Sequence, residues 1–347
     1  MLKIINNISV KLPGNYCGLL LLILLFVNQA VGQSQPDALL KKKQQEFTSW
    51  KYGIFLHFNM ATFVDKEWAT GYEDPLLFNP TKLHCGQWAR VAKDAGMKYG
   101  VLTVKHTCGW CLWDSKYTTH DITAFKNYKN GHGDIVREFV DAFRKQRLKV
   151  GLYYCLPGDY SNGFGNVPDK DKKDLHGLPP EAGNDYEGFI EKQVTELLTN
   201  YGAIDLLWFD QYQNKYTVKY WPQLKALVHK LQPNCIVLAN NSDNYVDSDI
   251  IGYEYPYRKQ ATPDKAVPPA GNKNAGELCD CIDANGSWFR HFGLPTLQKA
   301  DVVSAMIKLC NSRNTNYLLD VPPGREGLIE QPYIDRLAEI KKSFPHK

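Results

Sequence analysis

The chain has 347 residues, of which 44% are hydrophobic, 22% charged and 12% aromatic, the usage of an ordinary folded domain, and this excludes a disordered chain. Lys and Arg number 41 against 37 Asp and Glu, a net charge of +4. That balance excludes the concentrated basic face needed to neutralise phosphates, so nucleic acid is not an expected partner.

The first segment reads as an export signal. Lys3 and Lys11 make a weakly basic start, residues 18–27 (GLLLLILLFV) form an apolar run, and Ala30 and Gly32 offer small side chains at the −3 and −1 positions before Gln33. The expectation is a signal peptide over 1–32, a catalytic domain over 33–347, and an exported product (periplasmic, lysosomal or extracellular). The run is shorter than the ~20 residues that span a bilayer, so stable membrane insertion is not expected. Cys17 precedes the apolar run, which argues against a lipidated cysteine at the cleavage point.

Of nine cysteines, eight follow this segment, and export with an even count permits disulfides, although the pairing is not readable. Cys108 and Cys111 have C-x-x-C spacing, but no second pair at matching spacing accompanies them, which favours a structural role over a metal or redox site. Asn240-Asn241-Ser242 and Asn285-Gly286-Ser287 are glycosylation sequons.

From residue 37 onward, short apolar runs alternate with amphipathic stretches. After a helix over 37–47, the spacing predicts strands at 52–58, 99–104, 150–154, 205–209, 235–239, 250–253 and 316–321, with helices at 86–95, 134–146, 186–200, 223–231, 300–310 and 331–343. Continuous apolar strands, each followed by a helix, indicate a parallel sheet covered on its outer face. Seven strands fit an α/β fold of the (β/α)₈-barrel type with one strand hidden in the irregular stretch 256–295, and with no full C-terminal β domain. No G-x-G-x-x-G follows the first strand and no phosphate-binding G-x-x-x-x-G-K-[ST] occurs, so an open dinucleotide-binding sheet is disfavoured.

In such a barrel the chemistry sits where strands end. The predicted ends carry His57, Lys105-His106, Tyr153-Tyr154, Trp208-Phe209-Asp210, Asn240-Asn241 and Glu254. Asp210 and Glu254 close strands two apart around the rim, and two carboxyl groups are the minimum for hydrolysing a glycosidic bond. Asp210, behind the aromatic walls Trp208 and Phe209, is the candidate nucleophile. Glu254, between Tyr253 and Tyr255, sits where a carboxyl loses water and its pKa rises, the requirement for the proton donor.

The motifs WKYGIFLHFNMATF (50–63), EWATG (67–71), VKHTCGWCLWDSKYT (104–118), VGLYY (150–154), LLWFDQ (206–211) and NYLLDVPPGREGLI (316–329) resemble, in order, those of glycoside hydrolase family 29, the retaining α-L-fucosidases. The resemblance implies a (β/α)₈-like barrel and an exo-acting double displacement through a covalent fucosyl-enzyme, without cofactor or metal. It implies Asp210 as nucleophile, with His57, Glu67, Trp68, His106 and Tyr154 holding the sugar and Trp208 beside it. Trp68 and Trp288 would face the C5 methyl of fucose. For the acid/base, Glu254 resembles one branch of the family and Glu277 another; the strand-end position favours Glu254, leaving Glu277 as a neighbouring sugar contact.

Two departures stand out: Thr107 replaces a family histidine, and Gln211 replaces the glycine that often follows the nucleophile. The ending resembles the branch acting on α-1,3/1,4-linked fucose, and an aglycone subsite is expected from loops 159–186 and 257–273. The expected partner is therefore a fucosylated oligosaccharide or glycoconjugate. The alternatives are a non-catalytic glycan-binding barrel and an exported glycosidase for another deoxy or galacto-configured sugar.

Overall fold

The computed structural model describes residues 37–156, 185–213 and 218–343; the predicted signal 1–32 and nearly all of loop 159–186 lie outside the described residues. Helix α1 (Ala38–Ser49), capped by the Asp37 side chain on Leu40 N–H, leads into β1 (Tyr52–Leu56). Short α2 (Met60–Val64) and α3 (Cys85–Asp94) then precede β2 (Tyr99–Lys105). The βα alternation continues through α4 (Ile135–Lys145), β3 (Lys149–Cys155), α5 (Tyr186–Asn200), β4 (Leu206–Asp210), α6 (Trp221–Leu231) and β5 (Ile236–Ala239). The chain closes through β6 (Ile251–Glu254), α7 (Tyr255–Ala261), β7 (Gly276–Cys281), α8 (Ala300–Ser312), β8 (Thr315–Asp320) and α9 (Gln331–Ser343).

All eight strands are parallel, in the order β5-β4-β3-β2-β1-β8-β7-β6, and β1 pairs with β8. This is the expected (β/α)₈-type barrel, and β7 is the strand hidden within 256–295.

Strand period two divides the core. Phe55, Tyr99, Val101, Tyr153, Trp208, Leu238 and Leu318 pack in one cluster inside the barrel. Ile54, Leu102, Tyr154, Phe209, Leu278 and Tyr317 face out against the helices. Inward Gly53 leaves the space that the Tyr99 ring fills, since a Cβ there would stand 2.4 Å from it. Between β5 and β6 the strand ladder is missing. A buried carboxylate bridges this seam: Asp249 pairs with Lys43 of α1 and with Lys225 and His229 of α6, and also accepts from Val237 N–H of β5.

Candidate active site

At the C-terminal end of the barrel a cavity of about 390 Å³ is lined by residues from β1, β3, β4, β6 and β7, among them Phe55, Tyr153, Asp210, Glu254 and Cys279, and by Asn240 just after β5. These residues meet because strand ends are the working face of this architecture.

Three donors hold the Asp210 carboxyl. Tyr153 Oη donates to Oδ2 at 2.8 Å, Asn240 Nδ2 to Oδ1 at 3.0 Å and the Gln211 backbone N–H to Oδ1 at 2.8 Å. Burial, then the Asp210 charge, pushes the Tyr153 hydroxyl well above its ordinary range, so it stays protonated and stays a donor.

The same Asn240 nitrogen donates to Glu254 Oε2 at 2.8 Å, and Asn241 Nδ2 donates to that oxygen at 2.9 Å. Burial first, and the negative charge of Asp210 second, push Glu254 up from 4.5 to about 7, against the opposing pull of both amides and of Arg258. Both amides fall on Oε2, which leaves Oε1 to carry the proton. Arg258 in turn braces Asn241, donating to its Oδ1 at 2.8 Å and its backbone carbonyl at 2.9 Å.

His57 and His106 line the cavity's other side. His57 Nδ1 and Asp320 Oδ1 are hydrogen-bonded at 2.7 Å. Burial pushes His57 down to about 3 despite the raising charges of Glu67 and Asp210, so the ring is neutral at working pH. His106 is likewise driven down by burial and by His57. Thr107, the first departure, does not line the cavity; its hydroxyl is bonded to His106 Nδ1 at 3.1 Å and fixes that ring. Trp208 stacks on Tyr153 with centroids 5.1 Å apart, Trp288 packs on His57 at 5.1 Å, and Trp68 stands 62% exposed at the mouth.

Of the ten residues singled out from sequence, Asp210, Glu254, His57, Trp68, His106, Trp208 and Trp288 converge on the cavity. Three do not line it. Glu67 instead accepts from Trp288 N–H at 3.0 Å and bonds His291 Nε2 at 2.6 Å, clamping the loop that carries Trp288. Tyr154 faces outward; its hydroxyl meets Gln193 and Lys105, because parity on β3 turns Tyr153 inward instead.

Glu277 points inward but too deep to be a sugar contact. In register it pairs with Gly252, two residues below Glu254, or about 6.6 Å down the barrel at ~3.3 Å per residue. It is 1% exposed, with Tyr99 Oη on one oxygen at 2.6 Å and Trp208 Nε1 on the other at 2.9 Å. Burial pushes it up to about 7 against both hydrogen bonds.

Tyr153, Asn240 and Asn241 stand at predicted strand ends without an assigned role, and Asp320, the last residue of β8, is not among the residues singled out from sequence; strand parity and the strand-end rule carry the signal for all four. Asn240 is buried between two carboxyls, so the sequon it begins is inaccessible, whereas Asn285 is exposed. All eight cysteines among the described residues are buried. No group of three or more His, Cys, Asp or Glu placed to hold a metal ion occurs among the described residues.

Known proteins share this arrangement of strands. Isoenzyme 1 of α-L-fucosidase from Paenibacillus thiaminolyticus superposes with a TM-score of 0.69 at 27% identity, covering 88% of this chain and 75% of that one. Alpha-L-fucosidase 1 of Arabidopsis thaliana is 30% identical over 335 residues, covering 88% of this chain and 61% of the plant protein. The human tissue alpha-L-fucosidase is 26% identical, with 76% of this chain and 54% of that protein covered. The chain thus spans a little over half the length of these curated relatives. The family model described as Alpha-L-fucosidase matches residues 69–344, from the rim loop after β1 through α9, and with the barrel and its paired carboxyls this establishes that the chain belongs to the α-L-fucosidase family.

Proposed function

We propose that the chain is an exo-acting, retaining α-L-fucosidase that releases terminal α-L-fucose from fucosylated oligosaccharides or glycoconjugates. The observation that carries the reading is the shared amide: one nitrogen of Asn240 bonds an oxygen of Asp210 and an oxygen of Glu254. Two carboxyl groups spanned by one nitrogen suit the ~5–5.5 Å separation of retaining enzymes and leave no room for the water that inverting enzymes place between theirs.

In the first step an Asp210 oxygen attacks C1 of the fucosyl group as the C1–O bond to the aglycone breaks, and Glu254 gives its proton to the departing oxygen. In the second, Glu254, now a carboxylate, takes a proton from water, and the resulting hydroxide attacks C1, releasing fucose and freeing Asp210. A group poised near 7 is matched to giving and retaking a proton at neutral pH. Neutral His57 and His106 suit hydrogen bonding to sugar hydroxyls, and the Trp288 and Trp68 faces suit the C5 methyl. The apolar run 18–27 followed by small residues before Gln33 supports export with 33–347 as the working domain.

The test is fucose release by the 33–347 chain from an aryl α-L-fucoside and from a branched oligosaccharide carrying α-1,3/1,4-linked fucose. Asp210→Ala and Asp210→Asn should lose nearly all kcat on either substrate. Azide should restore turnover of the aryl substrate to Glu254→Ala. Full turnover in both Asp210 variants, or rescue of Glu277→Ala instead, refutes the assignment. Absence of release from every fucoside by the folded chain favours a binding protein.

A further inference from the structure

Resting on the fucosidase reading, we infer that Gln211 and Tyr257 form an aglycone subsite that takes an uncharged pyranose, the sugar to which the fucose is attached. The side of the cavity on which that sugar lies is fixed by chemistry, because the proton donor must touch the departing oxygen and the leaving group therefore rests against Glu254.

Two features of this chain line the same cavity as Glu254. Glu254 caps α7, and Tyr257, three residues on, lines the same cavity while 58% exposed. A large aromatic left open at the mouth of a cavity offers the flat apolar face on which the C–H face of a sugar ring rests, with a hydroxyl at its edge. Gln211 is the independent observation. It follows Asp210 directly, lines the cavity, is exposed and holds φ at +56°. A side chain in that left-handed conformation carries backbone strain that glycine avoids. Its backbone N–H already serves Asp210, a task glycine would do equally well. The strain therefore leaves the amide side chain to be explained, and an amide offers both a donor and an acceptor to sugar hydroxyls.

The ligand class follows from the wall. Aromatic rings, amides, histidines and the carboxyls of Asp210 and Glu254 line the cavity, and no Lys or Arg is among the described lining residues. An acidic sugar would face two carboxyls without a countercharge. A neutral pyranose meets hydrogen-bonding amides and an open ring.

The experiment compares two substrates on one enzyme. α-L-Fucosyl fluoride carries no aglycone sugar and needs no proton from Glu254 to lose fluoride, whereas a fucosyl disaccharide with a neutral hexose needs both. For Tyr257→Ala and for Gln211→Gly, the ratio of kcat/KM on the disaccharide to that on the fluoride should fall about ten-fold, the scale of one such contact. Tyr257→Phe should keep the ratio. Loss of folded enzyme lowers both activities together and cancels in the ratio, so a fall in the ratio reports the aglycone. An unmoved ratio in both variants overturns the subsite and leaves the fucosidase reading standing. No fluoride release by the unaltered chain overturns the fucosidase reading and the subsite with it.

Discussion

Replacing Asn241 by glycine isolates one of the two amides that tune the acid. Asn241 sits at φ +60°, a conformation glycine adopts without strain, so the backbone is not expected to move. What disappears is the 2.9 Å bond from Nδ2 to Glu254 Oε2, together with the Oδ1 that accepts from the Glu254 backbone N–H at 3.2 Å and from Arg258 Nε at 2.8 Å. Arg258, which also holds Glu254 down, stays in place through Asp243 at 2.9 Å and the Lys265 carbonyl at 3.1 Å.

A hydrogen bond to a charged group is worth about 1.5–3 kcal/mol, and it favours the carboxylate over the acid. Taking the lower figure, its loss raises the Glu254 pKa by about one, from near 7 to near 8. The group works as an acid only while protonated. The alkaline limb of kcat/KM on a fucosyl disaccharide should therefore move up by about one pH unit, so that activity at pH 8 falls less steeply than in the unaltered chain. Fucosyl fluoride, which needs no acid, should show no corresponding limb. A limb that stays in place or moves down, in a variant with an unchanged circular dichroism spectrum, refutes the assignment of Glu254 as proton donor.

Glu277→Gln should stabilise the protein by ~3 kcal/mol at pH 8 and by nothing near pH 4. Glu277 is raised to about 7 when folded, so the unfolded chain releases its proton first and stability drains away between 4.5 and 7, a loss glutamine does not suffer. A melting temperature that rises equally at both pH values contradicts this. Asp320→Ala should raise KM for an aryl fucoside about ten-fold by freeing the His57 ring, while Asp320→Asn, which keeps a partner for Nδ1, should stay within a few-fold; equal damage in both variants argues against an orienting role. Glu67→Ala should likewise raise KM by about ten-fold while lowering kcat less, because it loosens the loop bearing Trp288. An unchanged KM means that the loop is held by other contacts.

The barrel was legible because its strands are buried on both faces and so read as unbroken apolar runs. β7 escaped for the opposite reason. Its sequence Gly-Glu-Leu-Cys-Asp-Cys carries two acids, and each is tolerated only through partners from elsewhere in the chain: Glu277 takes hydrogen bonds from Tyr99 and Trp208, and Asp280 accepts from Tyr317 at 2.8 Å. Nothing local to the segment announces that a carboxyl in it will be buried and satisfied. Asp210 and Glu254, by contrast, follow their apolar runs immediately, and the strand-end rule alone locates them.

Which face a strand-end residue takes is harder to read than where the strand ends. Tyr153 and Tyr154 are one residue apart and chemically identical, yet one bonds Asp210 and the other bonds Gln193 behind the sheet. The parity was available: on β4, Leu206, Trp208 and Asp210 share a face, and Trp208 registers with Tyr153, so fixing Asp210 inward fixes Tyr153 inward as well. The contrast between Glu254 and Glu277 adds depth to parity. Both point inward, both are pushed to about 7 by burial, and titration alone cannot separate them. What separates them is that Glu254 lies at the last residue of β6 while Glu277 lies at the second residue of β7. Two rungs turn an acid facing a cavity into an acid that holds Trp208 from beneath. A strand whose start is hidden in an irregular stretch gives no count of rungs, and so the role of its carboxyl emerges only once the register with β6 and β8 is known.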